Sequence, residues 1–457
     1  MRIVLVGAGE VGYSVAKNLS EDGHDIVVVE EDKDKAERID ADLNVQAIRG
    51  NGASPSVLAQ AGITDNGDRA QMLIACTNTD EVNLMACLIA KQMGVKHVIA
   101  RTKGLEFTDT DSWARSLGID LMISTERSVA KEIETLLEIR GASRATELAR
   151  GKAGVYLFKV NEGSKACGIT LAELRQQNSD LNTIIICIKR GKESFVPRAF
   201  DKLQQGDLCY TICYRNQIGK IEDIFNIEHK KVLKTVIING GSNLGRQIAK
   251  RIHTRWPNLA IKIFDPDKTK CSKIETEVPY ALPINADGSD ANLLDAEGIR
   301  NNAAVISVTE RDESNLMLSV LGKTLGALKA ISVVQKTNYL DMIDHLPLDA
   351  IVNRNQALAD GIIRSVRFPG SSRMLMVFNE IDAEAVEVCI EEDSPAADKT
   401  LQQLNMPSGS VIGLIERGDE LLIPSGSSEI KAADKVYLFA SSEIMPEAIQ
   451  HLGVNPQ

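Results

Sequence analysis

Three glycines at the spacing Gly-x-Gly-x-x-Gly, Gly7, Gly9 and Gly12, follow directly on the apolar run Ile3–Val6 and open an amphipathic stretch. In that context each glycine has a physical task. Gly7 permits a tight turn, Gly9 leaves room for the backbone to approach a pyrophosphate, and Gly12 lets the following helix pack closely on the strand. With Ala8 completing the turn, the amides of Glu10 and Val11 at the helix start are the donors expected to face phosphate oxygens. An acidic residue about 20 positions on, at the end of the next strand, accepts hydrogen bonds from an adenosine ribose. Glu30 stands there. Its carboxylate would repel a ribose 2′-phosphate, which favours NAD or NADH, or an adenine nucleotide such as ATP or ADP, over NADP.

The motif recurs in the second half of the chain in altered form, as Gly240, Gly241, Ser242, Asn243, Leu244 and Gly245, with the acidic partner retained at Asp265. Ser242 replaces the central glycine, and its side chain narrows the approach of a pyrophosphate. Other candidates fall at the carboxyl edge where open α/β sheets bind ligands: Thr77 and Asn78 after the fourth strand, Thr309 and Glu310 at the matching place, and Arg101 at the end of the fifth strand. Gln335 is read as the uncharged counterpart of Arg101. Asn51 and Asp287, in the third-strand loops, are placed to approach an adenosine. Helix capping accounts equally well for Thr77, Asp80 and Asn83, and turn formation for Asn51 and Asp287.

No catalytic constellation accompanies these residues. The six histidines neither pair at metal-ligand spacing nor recur at matching places in the two halves, and neither a Gly-x-Ser-x-Gly elbow nor a P-loop is present. A dehydrogenase would join its cofactor domain to a substrate domain with its own acid or base. Here the cofactor domain is repeated instead. The expectation is a regulatory, non-catalytic protein, with an NAD-dependent oxidoreductase built on duplicated domains as the alternative and a pure scaffold with relic glycine turns as a third reading.

The elements that must position these residues follow from an internal repeat. The segment Ala75-Cys-Thr-Asn-Thr-Asp-Glu-Val-Asn-Leu-Met85 aligns with Ser307-Val-Thr-Glu-Arg-Asp-Glu-Ser-Asn-Leu-Met317. Downstream, Arg190-Gly191 and Gly206-Asp207 return as Arg417-Gly418 and Ala433-Asp434. Short β-rich runs near 3–6, 26–29, 45–48, 72–75, 98–100 and 121–123 alternate with amphipathic stretches, the pattern of a parallel sheet covered by helices. The predicted fold is α/β: two tandem Rossmann-like, doubly wound parallel-sheet domains at residues 1–140 and 231–370, each followed by a small α+β domain, at 141–226 and 371–457.

Composition agrees. Of the 457 residues, 44% are hydrophobic, 25% charged and only 4% aromatic, which suits Ala/Val/Ile/Leu cores between helices. A net charge of −11 argues against nucleic acid and anionic lipid as partners. No apolar run is long enough to span a bilayer, so direct membrane insertion is not expected. The eight cysteines are scattered through apolar runs without paired spacing and read as reduced core thiols, consistent with a cytoplasmic protein.

With the repeat, the GAGEVG turn at 7–12, Glu30, the GNGAS loop at 50–54 and the CTNTDEVNLMAC segment at 76–87 in hand, the sequence resembles the TrkA family over essentially its full length. These are peripheral cytoplasmic components of Trk potassium uptake systems, built from tandem regulator-of-potassium-conductance domains. The resemblance implies a homo-oligomeric ring on the cytoplasmic face of a membrane-embedded potassium transporter, with NAD(H) or ATP/ADP shifting the ring between shapes. It also implies a linker near 218–234 with a crossover helix joining the halves. Ser242 and Gln335 depart from the family pattern and set the second nucleotide site apart.

Overall fold

The run Arg2–Val6 carries no alternation because both of its faces are covered, and the same is true of most of its neighbours, as a parallel sheet between helices requires. In the computed structural model, which describes residues 1–63, 70–103, 116–139, 141–191, 193–225, 232–367, 372–378, 381 and 383–453, that run is β1 of a six-stranded sheet. Its other strands are β2 (Asp25–Glu30), β3 (Gln46–Arg49), β4 (Met72–Ala75), β5 (His97–Thr102) and β6 (Leu121–Ser124), in the order β3-β2-β1-β4-β5-β6 and all parallel. The strand order reverses between β1 and β4, so a crevice opens at their carboxyl ends.

A five-stranded antiparallel sheet follows: β7 (Ala142–Leu148), β8 (Ala153–Lys159), β9 (Thr183–Arg190), β10 (Glu193–Phe195) and β11 (Leu208–Tyr214), ordered β10-β9-β11-β8-β7. The second half repeats both sheets. Strands β12 (Thr235–Asn239), β13 (Ala260–Phe264), β14 (Ala281–Ile284), β15 (Ala303–Ser307), β16 (Lys329–Val334) and β17 (Ala350–Asn353) form the parallel sheet β14-β13-β12-β15-β16-β17. Strands β18 (Ser372–Phe378), β19 (Ala383–Cys389), β20 (Ser410–Arg417), β21 (Glu420–Leu422) and β22 (Lys435–Ser441) form the antiparallel sheet β18-β19-β22-β20-β21. The six strands expected in the first sheet are all present, with ends displaced by a residue or two.

The halves are not merely consecutive. The helix Thr125–Glu138 sends Val129, Ile133 and Leu136 into the core of the second parallel sheet, against Val236, Ile248 and Ile261. Reciprocally, the helix Arg354–Arg367 buries Leu358, Ile362 and Val366 against Ile3, Val15 and Ile74 of the first. Each sheet thus has one face completed by the other half's last helix. The buried ammonium of Lys329, at the start of β16, fixes this exchange by donating to the carbonyls of Leu136, Ile139 and Ala142, where the first exchanged helix ends and β7 begins. The two small sheets also share a core, in which Val155, Tyr210 and Ile212 meet Leu414, Tyr437 and Phe439.

Within each small domain an arginine chelates a buried aspartate in the same way. Arg190 donates from Nε and Nη2 to Asp207 at 2.8 and 2.7 Å, and Arg417 does the same to Asp434 at 2.8 and 2.7 Å. Both aspartates are buried and accept a further backbone N–H, from Gln204 or Lys431. The turns noticed in the sequence are the two ends of these pairs. In the linker, the helix Ile218–Ile224 belongs to the first small domain, into which it buries Ile221 and Ile224. Residues 226–231 of the expected linker, with any crossover helix there, lie outside the described residues.

Candidate functional site

At the carboxyl end of the first parallel sheet lies a cleft of about 400 Å³. The chain reverses there at Gly7, whose φ of +104° favours glycine and whose N–H donates to Val29 at 2.8 Å. A Cβ on Gly12 would stand 1.9 Å from the carbonyl oxygen of Gly7, so only glycine allows the helix to begin this close to the strand. Gly9 differs. It caps the helix Glu10–Glu21 in an extended conformation, φ −67° and ψ −177°, and a Cβ there would meet nothing within 4 Å. No side chain caps this helix, so its first N–H groups, with those of Glu10 and Val11 among them, are available to an anion. The need for glycine at this position arises only from what enters the cleft.

Glu30 is half-buried at the cleft wall and already fastens the turn: one oxygen accepts from Ala8 N–H at 2.6 Å and the other from Asp32 N–H at 3.0 Å. Each carboxylate oxygen retains a lone pair for a ribose hydroxyl. Asn51 lines the cleft beside it while accepting from Ala53 N–H at 2.8 Å. On the opposite wall Thr77 is engaged within its own turn, its hydroxyl donating to Asn83 Oδ1 at 2.7 Å and its N–H to the same oxygen at 2.9 Å. Asn83 is completely buried and donates back to the carbonyls of Thr77 and Arg101 at 3.1 and 3.0 Å. Beneath the turn lies Cys76, whose thiol burial pushes up to about 12.

Arg101 is 6% exposed, reaches the Cys76 carbonyl and Asn78 Oδ1 with one nitrogen at 3.4 Å each, and leaves Nε without a partner. Lys103 lies alongside, its ammonium 3.1 Å from Asn78 Oδ1. Burial lowers the pKa of both groups below their ordinary ranges, and the neighbouring arginines Arg101 and Arg354 lower Lys103 further.

The remaining wall comes from the other half of the chain, as Gln335, Arg354 and Asn355. Asn355 donates to Glu10, and Arg354 pairs with the buried Glu126 at the start of the first exchanged helix. Neither cross-half residue is recognisable from sequence, because their placement depends on the helix exchange. Lys103, two residues past Arg101, was within reach of the sequence argument.

The second glycine turn keeps the backbone of the first. Gly240 has φ +115°, a Cβ on Gly245 would lie 2.0 Å from Gly240 O, and Ser242 has Gly9's extended conformation, φ −63° and ψ 178°. Asp265 accepts from Gly241 N–H at 2.8 Å, as Glu30 does from Ala8. The buried Arg246 donates to the carbonyl of Gly241 and to Asn243 Oδ1, both at 2.7 Å. Lys270 stands 3.8 Å from Asp265 and 3.4 Å from Glu310. Leu244 is buried in the core, Thr309 repeats the Thr77 arrangement with Asn315, and Asp287 turns its loop by accepting from Ser289 N–H at 2.9 Å.

One correspondence needs correcting. Asn83 donates to the carbonyl of Arg101, whereas Asn315 donates to that of Val333, so the counterpart of Arg101 is Val333 and not Gln335. Gln335 matches Lys103, since the N–H of each donates to the equivalent aspartate, Asp312 or Asp80.

Among the described residues no group of side chains is arranged to hold a metal ion, and no helix is long and apolar enough to cross a membrane. Residues 3–125 and 236–354 match the model of the TrkA-N domain, and residues 155–226 and 385–453 that of the TrkA-C domain. The chain is 32% identical over 441 residues to a Trk system potassium uptake protein TrkA homolog of Archaeoglobus fulgidus, covering 96% of this chain and 97% of the relative. It is 30% identical over 455 residues to TrkA homolog 1 of Methanosarcina mazei, covering 98% and 99%. It is 27% identical over 447 residues to TrkA of Vibrio alginolyticus, covering 96% and 95%. Among solved structures, the GsuK channel superposes with a TM-score of 0.60 at 17% identity, over 99% of this chain and 79% of that one. The GsuK channel bound to NAD superposes at 0.58, also at 17% identity and over 99% and 79%. At that identity the likeness is one of fold.

Proposed function

The chain belongs to the TrkA family, and from that premise we propose that it is the nucleotide-binding regulatory component of a Trk-type potassium uptake system. It is a regulatory protein and not an enzyme. In this reading it assembles as a homo-oligomeric ring on the cytoplasmic face of the membrane, against the transporter subunit. There it binds NAD(H) or ATP/ADP in the first cleft through the Gly7–Gly12 turn, with Glu30 and Asn51 on the adenosine. The observation that carries the reading is Gly9, an open glycine at an uncapped helix N-terminus facing a cleft of about 400 Å³. That combination serves an approaching phosphate.

The relatives named above are potassium uptake proteins, and the NAD-bound GsuK channel shares this fold. No histidine lines the cleft among the described residues, and no observation favours the oxidoreductase. A ligand controls a transporter only by binding one ring shape more tightly than the other. The exchanged helices supply the mechanical link, since the cleft is walled by both halves.

Titration calorimetry of the chain with NAD, NADH, ATP and ADP, beside Gly9→Asp, tests the proposal. Saturable binding that the variant loses, with no consumption of NADH, is expected. Binding of none of the four would leave the scaffold reading in its place.

A further inference from the structure

We propose that a cleft between the two small domains is a second ligand site, which takes a small planar aromatic compound carrying a hydroxyl donor, a phenol by chemical class. It shares no residue with the nucleotide cleft.

The small domains meet through equivalent positions. Arg190 and Asp207 correspond to Arg417 and Asp434, which makes Tyr210 the counterpart of Tyr437 and Ile212 that of Phe439. All four lie in the one shared core, so the two domains are related by an approximate twofold. The same register makes Ser441 the counterpart of Tyr214 and Ser194 that of Leu421. A twofold relation calls for the same contact on both sides, and here the sides differ. On one, Tyr214 crosses to the other small domain and donates its hydroxyl to the carbonyl of Leu421 in the edge strand β21. On the other, Ser441 carries no ring to cross with, and a cleft of about 380 Å³ lies against Ser441 and Ser194.

Tyr214 therefore defines what this cleft fits: a six-membered ring lodged between the domains, with a hydroxyl aimed at an edge-strand carbonyl. The walls agree. Ile186, Phe195, Ile381 and Phe439 offer apolar surface to a flat ring, and Ser194 belongs to β10, the edge strand equivalent to β21. Of the two charged groups in the lining, Arg198 is exposed and Glu384 is buried, at 5% exposure, in the place of Gly154 of the first domain. A buried carboxylate beside a carbonyl presents acceptors, which favours a neutral donor over an anionic ligand. A ring in the cleft would close the second side of the small-domain pair as Tyr214 closes the first.

The test is methyl NMR of the full chain, isotope-labelled at isoleucine and titrated with p-cresol and with toluene, which has the ring without the hydroxyl. The signals of Ile186 and Ile381 should shift saturably with p-cresol, and toluene should bind about 2- to 10-fold more weakly, the range of one hydrogen bond. Ser441→Tyr supplies the ring from the chain itself and should abolish these shifts, with circular dichroism showing that the variant is folded. Tyr214→Ala should open the equivalent cleft, so that p-cresol also shifts Ile423, whose main chain Tyr214 approaches. This second variant decides if Ser441→Tyr does not fold. Absence of a saturable shift in the wild type, shifts that survive Ser441→Tyr, or no new shift in Tyr214→Ala would overturn the site. Toluene bound as tightly as p-cresol would overturn the requirement for a donor.

Discussion

Replacing Gly9 by alanine separates what the glycine turn does for the fold from what it does for a ligand. The backbone at Gly9 is extended and open to any residue, and the new Cβ meets nothing within 4 Å, so no strain arises. Alanine removes conformational freedom from the unfolded chain, a gain of about 0.4–1 kcal/mol. It is a poorer N-cap than glycine, a loss of similar size, on the order of 0.5–1 kcal/mol. The stability of the empty protein should therefore stay within about 0.5 kcal/mol of the wild type. The same methyl group stands where the backbone must approach a pyrophosphate, and a 100-fold loss of affinity, about 2.7 kcal/mol, is the expected scale.

Chemical unfolding with and without ATP reads both quantities. At a nucleotide concentration about 100 times the wild-type Kd, the wild type should gain about 2.7 kcal/mol and the variant only about 0.4 kcal/mol. Gly12→Ala is the contrasting control, because its Cβ would lie 1.9 Å from a backbone carbonyl and must disrupt the turn in the empty protein. The reasoning is refuted if Gly9→Ala gains as much from nucleotide as the wild type, or if the empty variant is destabilised like Gly12→Ala.

Three further outcomes follow from the geometry. Lys329→Met should destabilise the chain by about 3 kcal/mol in denaturant, since three carbonyls at the end of the exchanged helix lose their donor at about 1 kcal/mol each. Asn83→Ala should cost about 2–4 kcal/mol by thermal unfolding, because a fully buried amide that clamps Thr77 to β5 is removed and its partners are left unpaired. Burial pushes Cys76 up to about 12 and Cys187 up to about 11, so at pH 8 their thiolate fractions are only about one in 10,000 and one in 1,000, and alkylation of the folded protein should be correspondingly slow. As both folded values lie above the ordinary value of a cysteine thiol, the unfolded chain releases these protons first. Stability measured by urea unfolding should decline as pH rises from about 9 toward 12.

The parallel sheets were legible because doubly covered strands leave continuous apolar runs such as Ile3–Val6, and because glycines at 7, 9 and 12 have one compact use between a strand and a helix. The repeat was legible for the same local reason, and Arg190, Asp207, Arg417 and Asp434 were visible as turns before the structure joined them in pairs. Partnership across the halves was hidden. An amphipathic helix such as Thr125–Glu138 announces an apolar face without saying which sheet receives it, so Arg354, Asn355 and Gln335 could not be assigned to the first cleft. The mispairing of Arg101 with Gln335 has a different origin: the aligned segment Ala75–Met85 on Ser307–Met317, carried on without a gap, already places Val333 opposite Arg101 and Gln335 opposite Lys103, as the carbonyls that Asn83 and Asn315 reach confirm.

The central claim is that a nucleotide in the first cleft controls potassium movement through a membrane partner. Its most direct test is potassium uptake into liposomes that hold the Trk-type transporter subunit, with this chain added, in the presence and absence of ATP and NADH. The account predicts a nucleotide-dependent change in uptake that requires the chain and disappears with Gly9→Asp. Uptake that is the same with and without nucleotide, while calorimetry shows the cleft filled, would contradict it.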